Sequence, residues 1–132
     1  MKRIELQTSR RTEMVPITHQ VQQAMDDSGV TEGVCYVYVP HTTAALAINE
    51  NADPMVAHDV LHVIDRLIPF EDPAYHHNED NSAAHIKAIL CGTSETIIVQ
   101  GGRLVLGTWQ GLFFCEFDGP RRRHFFVKLI EG

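Results

Sequence analysis

The chain has 132 residues, 44% of them apolar and 21% charged, with a formal net charge of −6 at pH 7. That is the length and composition of a single globular domain with its own core, and it excludes a disordered or fibrous chain. The acidic balance argues against general binding to nucleic-acid phosphates, and no stretch approaches the roughly 18 unbroken apolar residues of a membrane helix.

The opening "MKRIELQTSRR" has no apolar core of signal-peptide type, so a cytoplasmic protein is expected. Within it "RIELQT" (3–8) alternates and predicts a strand. Pro16 suits the first position of a helix whose apolar stripe is Ile17, Val21, Ala24 and Met25, with Ser28-Gly29 as its stop. "GVCYVYVP" (33–40) is apolar on both faces and predicts a central strand, with "AALAI" (44–48) as its partner. Asp53-Pro54 opens the clearest helix, Asp53 as N-cap and Pro54 at the first helical position. On that helix Val56, Val60, Val63, Ile64 and Leu67 share one side, and His58, Asp59, His62, Asp65 and Arg66 share the other, which predicts a solvated face.

"PFEDPAYHHNEDN" reads as a polar loop, and Asn81 or Ser82 caps a short helix through Leu90 that Gly92 closes. The remainder is β-patterned. "ETIIVQ" and "RLVL" flank Gly101-Gly102 as a hairpin, then "GLFFCEF", the turn "DGP" and "RRRHFFVKLI" follow. Early helices with an antiparallel C-terminal meander predict an α+β fold in one domain, residues 1–132. Cys35, Cys91 and Cys115 lack C-x-x-C spacing and read as small buried hydrophobes.

Eight histidines invite a search for a site. His58 and His62 have the i,i+4 spacing of a metal pair, but "HDVLH" lacks the glutamate that the zinc-hydrolase motif carries beside its first histidine. With His19 and His124 they read as surface residues. His41 leaves the end of a buried strand, His77 lies in the polar loop, and His85 occupies the first turn of a short helix. Three imidazoles from separate elements can close a metal site with an open position, or hold an anion beside a helix N terminus. Glu116 shares an apolar strand face with Leu112 and Phe114, so it is either a functional carboxylate or one arm of a buried ion pair to Arg121, Arg122 or Arg123.

Taken together, "HTTAALAINENADP", "YHHN" followed by "AHIKAILCG", and "GRLVLGTWQGLFFCEFDGPRRR" closely resemble the YjbQ-like family, also called the secondary thiamine-phosphate synthase family. The resemblance spans about residues 33–127 and implies an antiparallel β-sandwich with two or three helices, assembled as a homotrimer. It also implies a site. Carried over by motif, His41, His77 (followed by Asn78) and His85 are the family histidines, with Glu50 and Asp53 as the acids of "NENAD". Thr108, Trp109, Gln110 and Glu116 complete the set. One departure is the short "NEDNSAA" between His77 and His85, where some relatives carry a longer Gly/Asp-rich loop.

On this reading His41, His77 and His85 hold a divalent metal, zinc or magnesium, or else a phosphate. His41, Glu50 and Glu116 are the catalytic groups, and Asp53, Thr108, Trp109 and Gln110 contact substrate. The family's name reaction joins a pyrimidine diphosphate to a thiazole phosphate and releases pyrophosphate, so the expected partner is a phosphorylated small molecule. Lys87, Arg103 or Arg121 to Arg123 would meet its phosphates, with Trp109 stacked on a ring. No P-loop is present, and no nucleotide cofactor, nucleic acid or membrane partner is expected. Two alternatives stay open: metal-assisted hydrolysis with Glu50 or Glu116 as base, and a non-catalytic trimer that binds a metabolite or metal.

Overall fold

The run "QGLFFCE" is apolar at consecutive positions, so as a strand it needs cover on both faces, and the layers of the molecule follow from that. The computed structural model describes every residue except Asn78. Its strands are β1 (Lys2–Gln7), β2 (Glu13–Pro16), β3 (Gly33–Tyr38), β4 (Ala44–Glu50), β5 (Ser94–Gln100), β6 (Arg103–Leu104), β7 (Gln110–Glu116) and β8 (Arg122–Glu131). Its helices are α1 (Thr18–Ser28), α2 (Pro54–Leu67) and α3 (Ser82–Cys91). The strands form two antiparallel sheets, a five-stranded one in the order β1-β8-β3-β5-β6 and a three-stranded one in the order β2-β7-β4.

Strand β7 is the middle of the small sheet. Leu112 and Phe114 face the large sheet and meet Cys35, Val37, Ile97, Val99, Phe125 and Val127, with α1 adding Ile17, Val21 and Met25. Phe113 and Cys115 point the other way, against Ala84 and Ala88 of α3 and Leu61 of α2. The result is a sandwich with α2 and α3 on the outer face of its smaller sheet. Each fully buried Phe or Val contributes about 1.5–3 kcal/mol relative to an exposed one.

Several sequence expectations change here. Pro16 does not open α1 but ends β2, a short edge strand where its missing N–H breaks no ladder. Helix α1 starts at Thr18, whose Oγ1 accepts from the Leu112 N–H at 2.8 Å. Strand β4 does not pair with β3. Residues 39–43 carry the chain from one sheet to the other, so β4 pairs with β7. The Gly101-Gly102 hairpin forms, with both glycines at positive φ, although β6 is only two residues long.

Helix α2 has the expected N-cap, Asp53 accepting from the Met55 N–H at 2.9 Å, and His58, Asp59, His62, Asp65 and Arg66 are exposed as the pattern predicts. His58, Leu61, His62 and Asp65 line a cavity of about 770 Å³ against β2 and Phe113. Of the apolar stripe, Val56, Val60 and Ile64 are half-buried while Val63 is 42% and Leu67 72% exposed, and no residue of α2 is fully buried. The helix is pinned instead by Asp65, which accepts from Lys87 of α3, a lysine only 4% exposed. Cys35 and Cys115 are buried and Cys91 half-buried, all three free, and burial pushes the Cys35 thiol up to about 11. Among the described residues no helix is long and apolar enough to cross a membrane.

Candidate functional site

The turn from β7 into β8 decides which basic residue goes inside. In β8, Arg123 alternates in register with Phe125 and Val127 and is buried with them, while Arg122 is exposed on the opposite face. Glu116 occupies the matching inward position at the end of β7 and is completely buried. Its carboxylate accepts from Arg123 Nε (2.8 Å) and Nη2 (2.5 Å), from Thr8 Oγ1 (2.7 Å) and from the Asp118 N–H (3.0 Å). Burial pushes the Glu116 carboxyl up, but these donors and the guanidinium charge outweigh it and hold it below the ordinary carboxylate range. Gly119 lies so close that a Cβ there would stand 2.8 Å from Glu116 Cγ and 2.9 Å from Thr8 Oγ1. Only glycine lets this turn seal the pair.

Arg123 Nη2 also donates to Thr43 Oγ1 at 2.8 Å, which ties the pair to the segment that changes sheets. Two residues earlier, His41 Nε2 accepts from the His124 N–H at 3.1 Å, with the two imidazole centroids 4.9 Å apart. Desolvation, then the charges of Arg123 and His124, hold His41 below the usual histidine range, so it is neutral at pH 7. Further along the network Arg121 Nη2 (2.8 Å) and Asn81 Nδ2 (2.9 Å) both donate to Asp118 Oδ2.

These residues surround a cavity of about 310 Å³ lined by Pro40, Thr42, Glu79 and His85 together with His41, Thr43, Asn81, Arg121 and Arg123. The N terminus of α3 opens beside it without a side-chain cap. Arg121 and Arg123 each use Nε and Nη2 on protein acceptors, and neither Nη1 makes a hydrogen bond among the described residues.

Of the three histidines singled out by sequence, His41 and His85 share this cavity. His77 packs edge-on against His85 at 5.3 Å but lines a neighbouring cavity with Phe70 and Tyr75, and approaches Glu79 at 3.8 Å. Asn78 of the same motif lies outside the described residues. Among the described residues no three His, Cys, Asp or Glu side chains stand close enough together to hold a metal ion. His41 Nε2 faces the His124 backbone, and His77 lines a different cavity from His41 and His85.

The remaining residues lie elsewhere. Register pairs Ala44 with Glu116 but Glu50 with Gln110, so six residues of strand, about 20 Å, separate the two ends of the small sheet. Glu50 and Asp53 sit at the far end and line the larger cavity along α2, Asp53 being committed to the helix cap. Thr108, Trp109 and Gln110 are exposed there; Gln110 Oε1 accepts from the Gly107 N–H, and the Trp109 carbonyl from the Asn51 N–H. Glu116 is therefore not near Trp109, because they are at opposite ends of β7. It meets no cavity surface and works through Arg123. Of the phosphate candidates, Lys87 is buried on Asp65, and Arg103 lies in the β5–β6 hairpin. Sequence reasoning missed Asn81 and His124 as site residues, whereas the threonines after His41 were expected to orient charged groups, as Thr43 does for Arg123; the alternation of "RRRHFFV" was the one signal that could have marked Arg123 as inward.

A family model described as UPF0047 protein YjbQ-like matches residues 2–132. The chain belongs to this family. It is 46% identical to the UPF0047 protein YugU of Bacillus subtilis over 98% of both chains. To the UPF0047 protein MJ1081 of Methanocaldococcus jannaschii it is 52% identical, over 96% of this chain and 91% of the relative. A solved YjbQ/UPF0047 structure from Clostridium acetobutylicum superposes with a TM-score of 0.96 at 50% identity, covering 98% of this chain and all of that one. The solved relative shares the fold throughout, and none of these names carries an activity, so the chemistry rests on the site's own residues.

Proposed function

We propose that this family member binds a phosphorylated small molecule, with the phosphate in the cavity between His41, Asn81, His85, Arg121 and Arg123. One observation carries the reading: two guanidinium groups with uncommitted Nη1 atoms share one small cavity with an uncapped helix N terminus. Planar N–H donors and the positive end of a helix dipole are the usual means of gripping an oxyanion. His85 and Thr42 add donors. Glu116 and Asp118 hold the arginines from behind, which makes them positioning residues rather than substrate contacts.

The transfer implied by the resemblance is compatible with this chemistry. The thiazole nitrogen attacks the pyrimidine methylene, its lone pair forming the new C–N bond, while the C–O bond breaks and pyrophosphate leaves with the electron pair. The cavity's donors stabilise charge as it develops on the leaving group. No group in the cavity has to remove a proton for this step, which suits a neutral His41 as hydrogen-bond partner. The assembly we read as a homotrimer. The exposed Val63 and Leu67 of α2 and Ile86, Ile89 and Leu90 of α3 support self-association, and the number three rests on the resemblance.

Calorimetric titration with inorganic pyrophosphate tests the binding step. Arg121→Ala removes a half-exposed side chain without touching the buried pair and should weaken binding about tenfold. Absence of binding at millimolar pyrophosphate rejects the reading. Release of pyrophosphate from the pyrimidine diphosphate only when thiazole phosphate is present would assign the transfer, and light scattering would test the trimer.

A further inference from the structure

Helix α2 carries His58 and His62 four residues apart, so their rings stand one above the other on the same face. The two imidazoles are parallel to within 3°, with centroids 6.5 Å apart. At that distance they do not touch each other. The spacing is close to that of the outer rings in a three-ring stack, whose carbon planes lie about 3.5 Å apart at each step. One flat ring therefore fits between them if the side chains part by about half an ångström. Both side chains are exposed and can give that much. His58 Nδ1 donates to Asp59 Oδ1 at 3.0 Å, which steadies that ring and enriches it in electrons.

The slot opens on the cavity of about 770 Å³ between α2 and β2. Met14, Leu61 and Phe113 pack together as its floor, an apolar bed for the body of a ligand. On its walls Glu13, Glu50 and Asp53 are in no ion pair among the described residues, against one such cation, Arg10. Glu13 is hydrogen-bonded by Ser9 and Asp53 by the Met55 N–H, neutral donors that leave both charges in place. Asp65, also on the wall, is neutralised by Lys87. The balance is negative and attracts positive charge. We propose that this cavity binds a planar aromatic cation, its ring held between His58 and His62 and its charge turned to the carboxylate wall. The site is independent of the phosphate reading, because the two cavities share no residue.

Benzamidine, a flat ring bearing an amidinium charge, is the probe, titrated into the intact protein at about pH 8 and followed by NMR. Benzamide, flat but neutral, and cyclohexanecarboxamidine, charged but not flat, are the controls. Benzamidine is expected to bind at least about tenfold more tightly than either, its ring protons shifting upfield as the His58 and His62 signals move together. His58→Ala and His62→Ala should each weaken it about tenfold, the worth of one stacked face. His62→Phe, which keeps such a face, should bind within a few-fold of the parent. Either control binding as tightly as benzamidine, or alanine variants that both bind it unchanged, overturns the proposal. So does no binding at about ten millimolar, the affinity expected of a fragment with few atoms. Histidine signals that follow protein concentration and ignore the probe would give the slot to a second copy of the chain, and that too overturns it.

Discussion

Replacing Glu116 with Gln changes one charge and almost no volume, and it isolates what the buried pair does. The carboxylate accepts four hydrogen bonds, two of them from a guanidinium that is itself 4% exposed. A glutamine amide can satisfy the donors at one oxygen position but presents its own N–H groups to those at the other. The buried Arg123 is left without its counter-charge, a situation that costs about 3–5 kcal/mol. For 132 residues, an unfolding entropy of about 2.1 cal/mol/K per residue converts this to a fall in Tm of roughly 10–20 °C. The assay is thermal melting by circular dichroism at fixed protein concentration, which also keeps any oligomer equilibrium constant. The difference should depend on pH. Because the native Glu116 pKa is depressed, its contribution is complete above about pH 4.5, the ordinary value, and is lost as pH falls through the native one. The gap between parent and variant should therefore close in acid. The double change Glu116→Leu with Arg123→Met, which removes both charges, should recover most of the loss at pH 7. A single variant melting within about 2 °C of the parent, or a double variant no better than the single, would refute the account, since the first outcome is under 1 kcal/mol at this chain length.

Three further outcomes follow from the geometry. The His41 imidazole, followed by NMR, should titrate below pH 6.5, and its contribution to stability should be present above that value and lost as pH falls; a midpoint above 6.5 would contradict its desolvated position beside Arg123. Asp65→Ala should lower the unfolding free energy measured in urea more than Lys87→Met, by about 1–3 against under 1 kcal/mol, because only the first strands a buried ammonium; the opposite order would mean that α2 is not anchored there. Trp109→Ala should leave phosphate affinity within about twofold, since the indole and the cavity lie at opposite ends of β7; a larger loss would join the two ends into one site.

Local signals carried much of the fold. Asp53-Pro54 marked the start of α2, Gly101-Gly102 marked the hairpin, and the doubly apolar "GLFFCEF" announced a strand covered on both sides. What was not legible depended on distant partners. The four residues of β2 have no periodicity to read, and β4 could not reveal that residues 39–43 cross between sheets. The amphipathic pattern of α2 marked its solvated face, but not that Leu61 would reach the core beside Phe113 or that Asp65 would meet Lys87. At the site, His41 and His85 were visible as histidines at element ends. Asn81 was not, because its tie to Asp118 joins residues far apart in the chain.

The strand order has a consequence for how the protein is born. Strand β8 is the last to be synthesised, yet it lies between β1 and β3, and all six residues of β1 pair with it alone. Strand β1 must wait for β8, so the large sheet cannot form until residues 122–131 have been made. Contacts of such long sequence separation slow folding and leave strand edges exposed meanwhile. Arg123 travels on the same strand, so the cavity proposed to hold phosphate does not exist in any nascent chain shorter than nearly the whole domain. A ribosome-stalled chain ending before residue 122 should therefore be protease-sensitive with or without phosphate.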